Sequence, residues 1–171
     1  MSNRWKPNVT VAAIIERTVD RQRQFLLVEE ETAEGLRLNN PAGHLDPGET
    51  PQQGAIREAL EETTRLFTPD SLLGVYLSRV RRPATDEDVT YLRVAFGGTV
   101  GDPDPTRALD VGIVRTVWLG IDEIRATHDR HRSPLVLRCI EDRVAGRRLP
   151  LDTVYSDPSV FASDAEKEAD T

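Results

Sequence analysis

The sequence predicts a single α/β domain of the α+β kind, a mixed β-sheet sandwiched between α-helices. Strand-like and helix-like segments are interspersed, but not as strict strand–helix repeats, which speaks against a doubly wound sheet. The chain has 171 residues, one domain's worth, enough to bury roughly 70% of the surface its unfolded form exposes. Its longest aliphatic run is Val11, Ala12, Ala13, Ile14 and Ile15, whereas a membrane helix needs ~20 apolar residues.

The elements follow in order. Residues 8–16 are rich in β-branched side chains (Val9, Val11, Ile14, Ile15) and predict a strand. After the polar turn Asp20, Arg21, Gln22, Arg23, residues 25–29 predict a second strand, and 36–40 a short third. Residues 50–64 predict a helix. Residues 72–80 and 89–100 predict long strands around a polar loop, 81–88. Pro103 and Pro105 mark a loop over 101–110. A strand over 114–119, a short helix near 122–126 and a longer helix over 134–144, stopped by Gly146, complete the domain.

The chain carries 22 basic and 29 acidic residues, net −7, which argues against a nucleic-acid polymer as partner. Residues 156–171 hold Asp157, Asp164, Glu166, Glu168 and Asp170 against Lys167 alone. We therefore place the domain at 1–155 and expect 156–171 to be an acidic, disordered tail. The N-terminus shows no apolar signal region, and Cys139 has no second cysteine to pair with. A reducing cytoplasm is the expected location, with no membrane partner.

The informative stretch runs from Gly43 to Arg65, GHLDPGETPQQGAIREALEETTR. Thr50 is a good N-cap, Pro51 fits the first helical position, and Gln53 completes a capping box. The helix then sets Glu58, Glu61 and Glu62 at i, i+3 and i+4, on one face. Ile56, Ala59, Leu60 and Thr63 populate its other sides. Three like charges on one turn repel, and a cation offsets that cost. Oxygen ligands without nearby His or Cys favour Mg²⁺ or Mn²⁺ over Zn²⁺, and Mg²⁺ prefers a phosphate as co-ligand. Arg57 is placed to steady the carboxylates through Glu49 or Glu61. The plainer reading of such a cluster taken alone is a solvated acidic helix face.

The cluster is not alone. Gly43, Glu49, Arg57, Glu58, Glu61 and Glu62 fall at the spacing of G-x5-E-x7-R-E-U-x-E-E-x-G-U, with U aliphatic. The stretch resembles the Nudix box. Residues 5–12, 28–30, 41–45, 132–136 and 146–151 further resemble the NudJ-type phosphatases of that family, so the likeness covers roughly 5–152 and leaves the tail outside. The resemblance implies the Nudix fold, with the box as loop–helix–loop. It also implies a Mg²⁺-dependent hydrolase of nucleoside di- and triphosphates or of thiamine-pathway pyrophosphates, acting on a small molecule as a monomer or homodimer. It implies that Glu58, Glu61, Glu62 and the Gly43 carbonyl hold the metal, with Glu58 acting on the attacking water and with Arg57 and Glu49 supporting.

Two departures stand out. Thr64 and Arg65 replace the box's last glycine and aliphatic residue. A β-branched residue resists the left-handed conformation that glycine adopts at a helix end. The helix therefore either ends at Thr64 under strain or runs on toward Phe67, stopping before Pro69. Family members also often carry an acid four to six residues before a tryptophan. Ahead of Trp118 those positions hold Gly112, Ile113 and Val114, leaving Asp110, or Asp86, Glu87 and Asp88, as candidates.

Among the other polar residues, His44, Arg132 and Arg148 are candidate contacts for substrate phosphate, against ordinary structural roles. His128 and His131 lack a third ligand for a metal, and Cys139 is expected to be inert core. Two other functional readings stay open: a pyrophosphatase for ADP-ribose or dinucleoside polyphosphates, and a Nudix-fold binding module without activity.

Overall fold

In the computed structural model, described for residues 4–82 and 86–161, a seven-stranded mixed sheet has helices on both faces. The strands are β1 (Asn8–Val19), β2 (Gln22–Thr32), β3 (Gly35–Asn39), β4 (Ala42–His44), β5 (Phe67–Arg82), β6 (Glu87–Val100) and β7 (Ile113–Gly120). The helices are α1 (Pro51–Thr63), α2 (Ile121–Ala126) and α3 (Leu135–Val144). The main path runs β3-β2-β1-β6-β5, with β4 on β1 and β7 on β2. The β1–β6 pair is parallel, and every other pairing is antiparallel.

Strand β1 explains the sandwich. Residues 11–15 are all essentially inaccessible. Their side chains alternate, so one strand feeds two cores. Val11, Ala13 and Ile15 join Leu26, Val94 and Phe96 beneath Ala55 and Ala59 of α1. Ala12 and Ile14 join Phe25, Leu27 and Leu73 against Val136, Cys139 and Ile140 of α3. Cys139 is fully buried, as expected. Burying each larger aliphatic side chain is worth about 1.5–3 kcal/mol, so both helices are held mainly by this contact.

The β1–β2 hairpin turns through Asp20 and Arg21, both with positive φ (50° and 65°). Two such residues make the kind of turn that matches strand twist. The hairpin pairs only as far as Ile15 and Leu26. Beyond that point β1 takes β4 as its partner (Thr10 to Ala12), while β2 takes β3 (Val28 to Thr32). The short linker Asn40–Pro41 joins the diverging pairs, and the space between them becomes the candidate site.

Helix α1 begins as its sequence dictates. Gln53 donates its backbone N–H to Thr50 Oγ1 (3.2 Å), and Gln53 Oε1 accepts from Thr50 N (2.8 Å). At the other end the helix stops rather than continuing to Phe67. Thr64 adopts φ 57°, ψ 18°, and its N–H reaches the Leu60 carbonyl. Thr63 Oγ1 donates to the Ala59 carbonyl (2.6 Å), and the Thr64 carbonyl accepts from Asp104 N (2.8 Å). A β-branched residue thus occupies the left-handed position, held by hydrogen bonds on both sides.

Strand β5 departs most from expectation. It starts at Phe67 rather than residue 72, absorbing Pro69 through register shifts at 69/71 and 72/74. A proline inside a strand is tolerated at such irregularities. The short β4 was not expected. Beyond residue 155, Pro158–Phe161 forms one exposed 3-10 turn, so structure continues past the boundary placed there. The rest of the expected tail, 162–171, lies outside the described residues.

Arg143 is the largest fully buried side chain. It pairs with Glu16 (2.7 Å) and Asp70 (2.6 Å) and donates to Ser71 Oγ (2.8 Å). A Cβ on Gly97 would lie 2.6 Å from its Nη1, so a glycine is needed beneath it. Removing one member of such a buried pair leaves an uncompensated charge.

Left-handed strain at a non-glycine residue amounts to about 1–2 kcal/mol. Thr64→Gly is therefore expected to leave stability unchanged or to raise it by about 1 kcal/mol, read as a higher denaturant midpoint. A lower midpoint would mean that the buried threonine side chain outweighs the strain.

Candidate active site along helix α1

The loop 43–50 and helix α1 are held together by Arg57. Its Nε and Nη2 donate to both oxygens of Glu49 (3.0 and 2.8 Å). Nη1 donates to Glu58 (2.7 Å) and Glu61 (3.1 Å), and Nη2 also donates to the His44 carbonyl (3.0 Å). Glu49 in turn accepts from Asp46 N (2.8 Å). The bidentate geometry is one that only arginine supplies. Hydrogen bonding from Arg57 holds the Glu49 carboxyl below its ordinary range. Glu49 and Arg57 thus shape the loop and neutralise part of the acidic face.

Glu58 and Glu62 point inward from α1 and are only 8% and 7% exposed, whereas Glu61 faces solvent at its rim. A Cβ on Gly43 would lie 2.1 Å from Glu58 Oε1, so strand β4 approaches this carboxylate more closely than any side chain allows. Burial raises Glu58 above its ordinary range, against the opposing effect of Arg57. Glu62 is pushed further, to about 8. Desolvation is the main cause, the N–H of Ala42 opposes it, and the charges of Glu58, Glu30 and Asp110 add to it. Among the described residues the only hydrogen bond to Glu62 is that N–H, at 3.0 Å.

The acids on the table of candidates before Trp118 sort themselves. Asp110 donates its N–H to the Glu61 carbonyl (3.0 Å), and its charge is felt at Glu62. The 101–112 loop is therefore fastened to the end of α1, bringing Asp110 to the acidic face. Asp88 instead pairs with Arg79 (2.5 Å), on the hairpin formed by β5 and β6.

On the other side of β4 lies a cavity of about 190 Å³, bounded by Thr10, Glu30, Asn39, Gly43, Tyr91 and Arg93. His44 and Arg132, two of the candidate phosphate contacts, also line it. Arg132 pairs with Glu30 at 3.2 Å. Arg148 is not brought to this cavity. It pairs with Glu16 (3.3 Å) beside the buried Arg143 cluster, so its guanidinium is engaged in the packing of α3. His128 and His131 flank a single 3-10 turn, and burial lowers the His131 pKa. Sequence reasoning did not single out Glu30, Asn39 and Arg93, which line this cavity. Each sits in a strand whose pattern looks like ordinary sheet, and only the strand exchange beyond Ile15 and Leu26 brings them together.

Among the described residues no three His, Cys, Asp or Glu side chains converge tightly enough to chelate an ion as they stand. Glu58 and Glu61 both turn onto Arg57 Nη1. The donor set nevertheless suits a hard divalent cation, being all oxygen, with a buried Glu62 that one N–H serves and that three further acids surround.

Residues 6–139 match the family model described as NUDIX domain. The phosphatase NudJ of Escherichia coli strain K12 is 33% identical over 151 residues, spanning 88% of this chain and 92% of the relative. A NUDIX hydrolase from Nitrosomonas europaea shares 50% identity, with TM-score 0.78 and coverage of 89% of this chain and 98% of that one. The NUDIX domain of Shewanella oneidensis NrtR, solved with ADP ribose, is 16% identical with TM-score 0.64 and covers 83% and 89% of the two chains, a likeness of fold alone. With the box, the sheet and the carboxylate face in register, the chain belongs to the Nudix family of hydrolases.

Proposed function

We propose that the chain is a Mg²⁺-dependent phosphoanhydride hydrolase acting on nucleoside di- or triphosphates or a thiamine-pathway pyrophosphate, with Mn²⁺ able to substitute. The observation that carries this reading is the pair Glu58 and Glu62. They are two buried carboxylates one turn apart, and Arg57 compensates only the first. Holding both ionised is costly unless a cation joins them, in line with burial raising both carboxyls. That cost, met within one turn of helix, also weighs against a binding module without activity.

Glu58, Glu61, Glu62 and the Gly43 carbonyl would hold the ion, with Asp110 completing the set. When bound, the cation supplies positive charge to the phosphate oxygens and lowers the pKa of a water. The chain's own residues do the rest. Glu58, fixed by Arg57 on one side and by the close approach of Gly43 on the other, orients the attacking water and takes its proton as the phosphorus–oxygen bond to the leaving phosphate breaks. Glu49 acts through Arg57, holding the guanidinium that sets both Glu58 and Glu61.

Three outcomes test this reading. Hydrolysis of a nucleoside triphosphate is expected to vanish in EDTA and to return with Mg²⁺ or Mn²⁺. Undiminished turnover in excess chelator would exclude the reading. Glu62→Gln keeps the volume and removes the charge, and kcat is expected to fall ~10²-fold or more at equal folded fraction. In Gly43→Ala the new methyl meets the movable end of the Glu58 side chain rather than backbone. The fold is expected to survive, with a circular dichroism spectrum like that of the parent, while kcat falls about tenfold or more. Unchanged kcat in Gly43→Ala would remove Glu58 from its assigned place.

A further inference from the structure

The cavity beside β4 has an unusual lining. Among the described residues six buried side-chain polar atoms lack a hydrogen-bond partner, and five of them belong to residues that line this one cavity: Thr10 Oγ1, Glu30 Oε1, Asn39 Oδ1, Arg93 Nε and Ser133 Oγ. Buried polar groups are almost always satisfied, so a concentration of exceptions marks a place where a ligand supplies the missing partners. The residues come from five separate segments. Register places Thr10 opposite both His44 and Arg93, while Glu30 and Asn39 come from the diverging β2–β3 pair and Ser133 precedes α3.

The chemistry of the lining narrows the ligand. Arg93 is 7% exposed; its hydrogen bond to Asn40 Oδ1 is a long 3.5 Å, and the Cys139 thiol is a further partner. It offers a donor. Glu30 is ion-paired to Arg132 without an aligned hydrogen bond and offers only an acceptor when ionised. Thr10 and Ser133 hydroxyls and the Asn39 amide serve either way. A phosphate brings acceptors alone. It would suit Arg93 and face the carboxylate of Glu30 with like charge. A plain hydrocarbon ring would leave all five atoms unpaired. A ligand that matches must bring an N–H donor for Glu30 and, close by, an acceptor for Arg93, two residues near enough for each to influence the other's charge. At about 190 Å³ the space is below the ~300–1,000 Å³ of a pocket for a whole drug-sized ligand, so it takes one end of a substrate. Ala42 and Gly43 line this cavity and also meet Glu62 and Glu58, and the charge of Glu30 reaches Glu62, so the cavity adjoins the carboxylates. The rings of His44 and Tyr91, 6.3 Å apart, flank the cavity with flat surfaces.

We propose that this cavity selects the organic end of the substrate, taking a flat heterocycle that carries an exocyclic amino group beside an unprotonated ring nitrogen, with Glu30 accepting from the amino group and Arg93 donating to the ring nitrogen. The counterpart with an oxo group beside a ring N–H reverses both partners and is disfavoured. This rests on the phosphoanhydride reading above, because the phosphates must lie on the Gly43 side.

The test compares matched pairs with Mg²⁺ present, CTP against UTP and ATP against ITP. The wild-type protein is expected to show kcat/KM about tenfold or more higher for the amino member of each pair. In Glu30→Gln, whose amide can both donate and accept, the ratio is expected to collapse to about threefold or less, chiefly through loss on the preferred substrate. Asn39→Ala is expected to weaken binding of both members through KM, with a denaturant midpoint near that of the parent. A wild-type ratio near one with good turnover overturns the pocket and leaves phosphoanhydride hydrolysis standing. Equal loss on both members in Glu30→Gln, with the ratio kept, also overturns it and moves Glu30 to the carboxylate cluster. If none of the four triphosphates is turned over, hydrolysis of nucleotides fails. The pocket is then judged by thermal shift in EDTA, where stabilisation by CMP and not by UMP supports it and equal stabilisation overturns it.

Discussion

The guanidinium of Arg57 is the constraint on which the site depends. A loop and a helix that meet only through backbone would leave the 43–50 segment free to shift against α1. Here one side chain joins Glu49, Glu58, Glu61 and the His44 carbonyl, binding both ends of the loop to the second turn of the helix. Arg57 is still about a quarter exposed, so each exposed pair contributes modestly by itself. The effect comes from sharing: the fork of donors can satisfy Glu49 twice only when the helix lies at one rotation, and that rotation turns Glu58 and Glu62 inward. The capping box at Thr50 and Gln53 fixes the helix start from the other direction. Gly54 belongs to the same arrangement, since a Cβ there would come within 2.7 Å of Glu49 Oε1.

That local device works because the sheet gives it a rigid base. Ala55 and Ala59 lie flat on Val11, Ala13 and Ile15, and the small alanines bring α1 close to β1. With the helix near the sheet, β4 can pass beside Glu58, and only glycine fits the gap. The 101–112 loop closes the far end of the helix through Asp104 to Thr64 and Asp110 to Glu61. The left-handed turn at Thr64 is therefore part of the site's frame. It ends the helix one residue past the last carboxylate turn and aims the carbonyls of Glu61 and Thr64 at the loop that carries Asp110.

Much of this was legible in the sequence, and the reasons are local. Capping residues, the i, i+3, i+4 carboxylates and the spacing from Gly43 to Glu62 act within one helix or its flanking loop, so residue order and position in space coincide. The β-rich run of residues 8–16 announced the central strand. What escaped was set by distant pairing. Pro69 looked like a break, yet register shifts against β6 absorb it into β5. The three residues of β4 are too few for any pattern. Arg148 looked like a phosphate ligand by residue type, whereas Glu16, more than a hundred residues earlier, engages it. Glu30, Asn39 and Arg93 became neighbours only because β1 and β2 exchange partners midway, which no periodicity in either strand signals.

The strand exchange also explains how one small domain places two unlike environments side by side. On the α1 side of β4 the carboxylates are gathered, and among the described residues one N–H serves the buried Glu62. On the other side, Arg93 and Arg132 meet Glu30 within a lining whose polar atoms are unpaired. The backbone of Ala42 and Gly43 borders both groups, whose charges still reach one another: Glu30 acts on Glu62, and Glu62 on Arg93. It donates an N–H to Glu62, leaves room for Glu58 and presents no side chain at Gly43 to either neighbour. The requirement for glycine at position 43 therefore follows from the α1 side, where the Glu58 carboxylate occupies the place of a side chain.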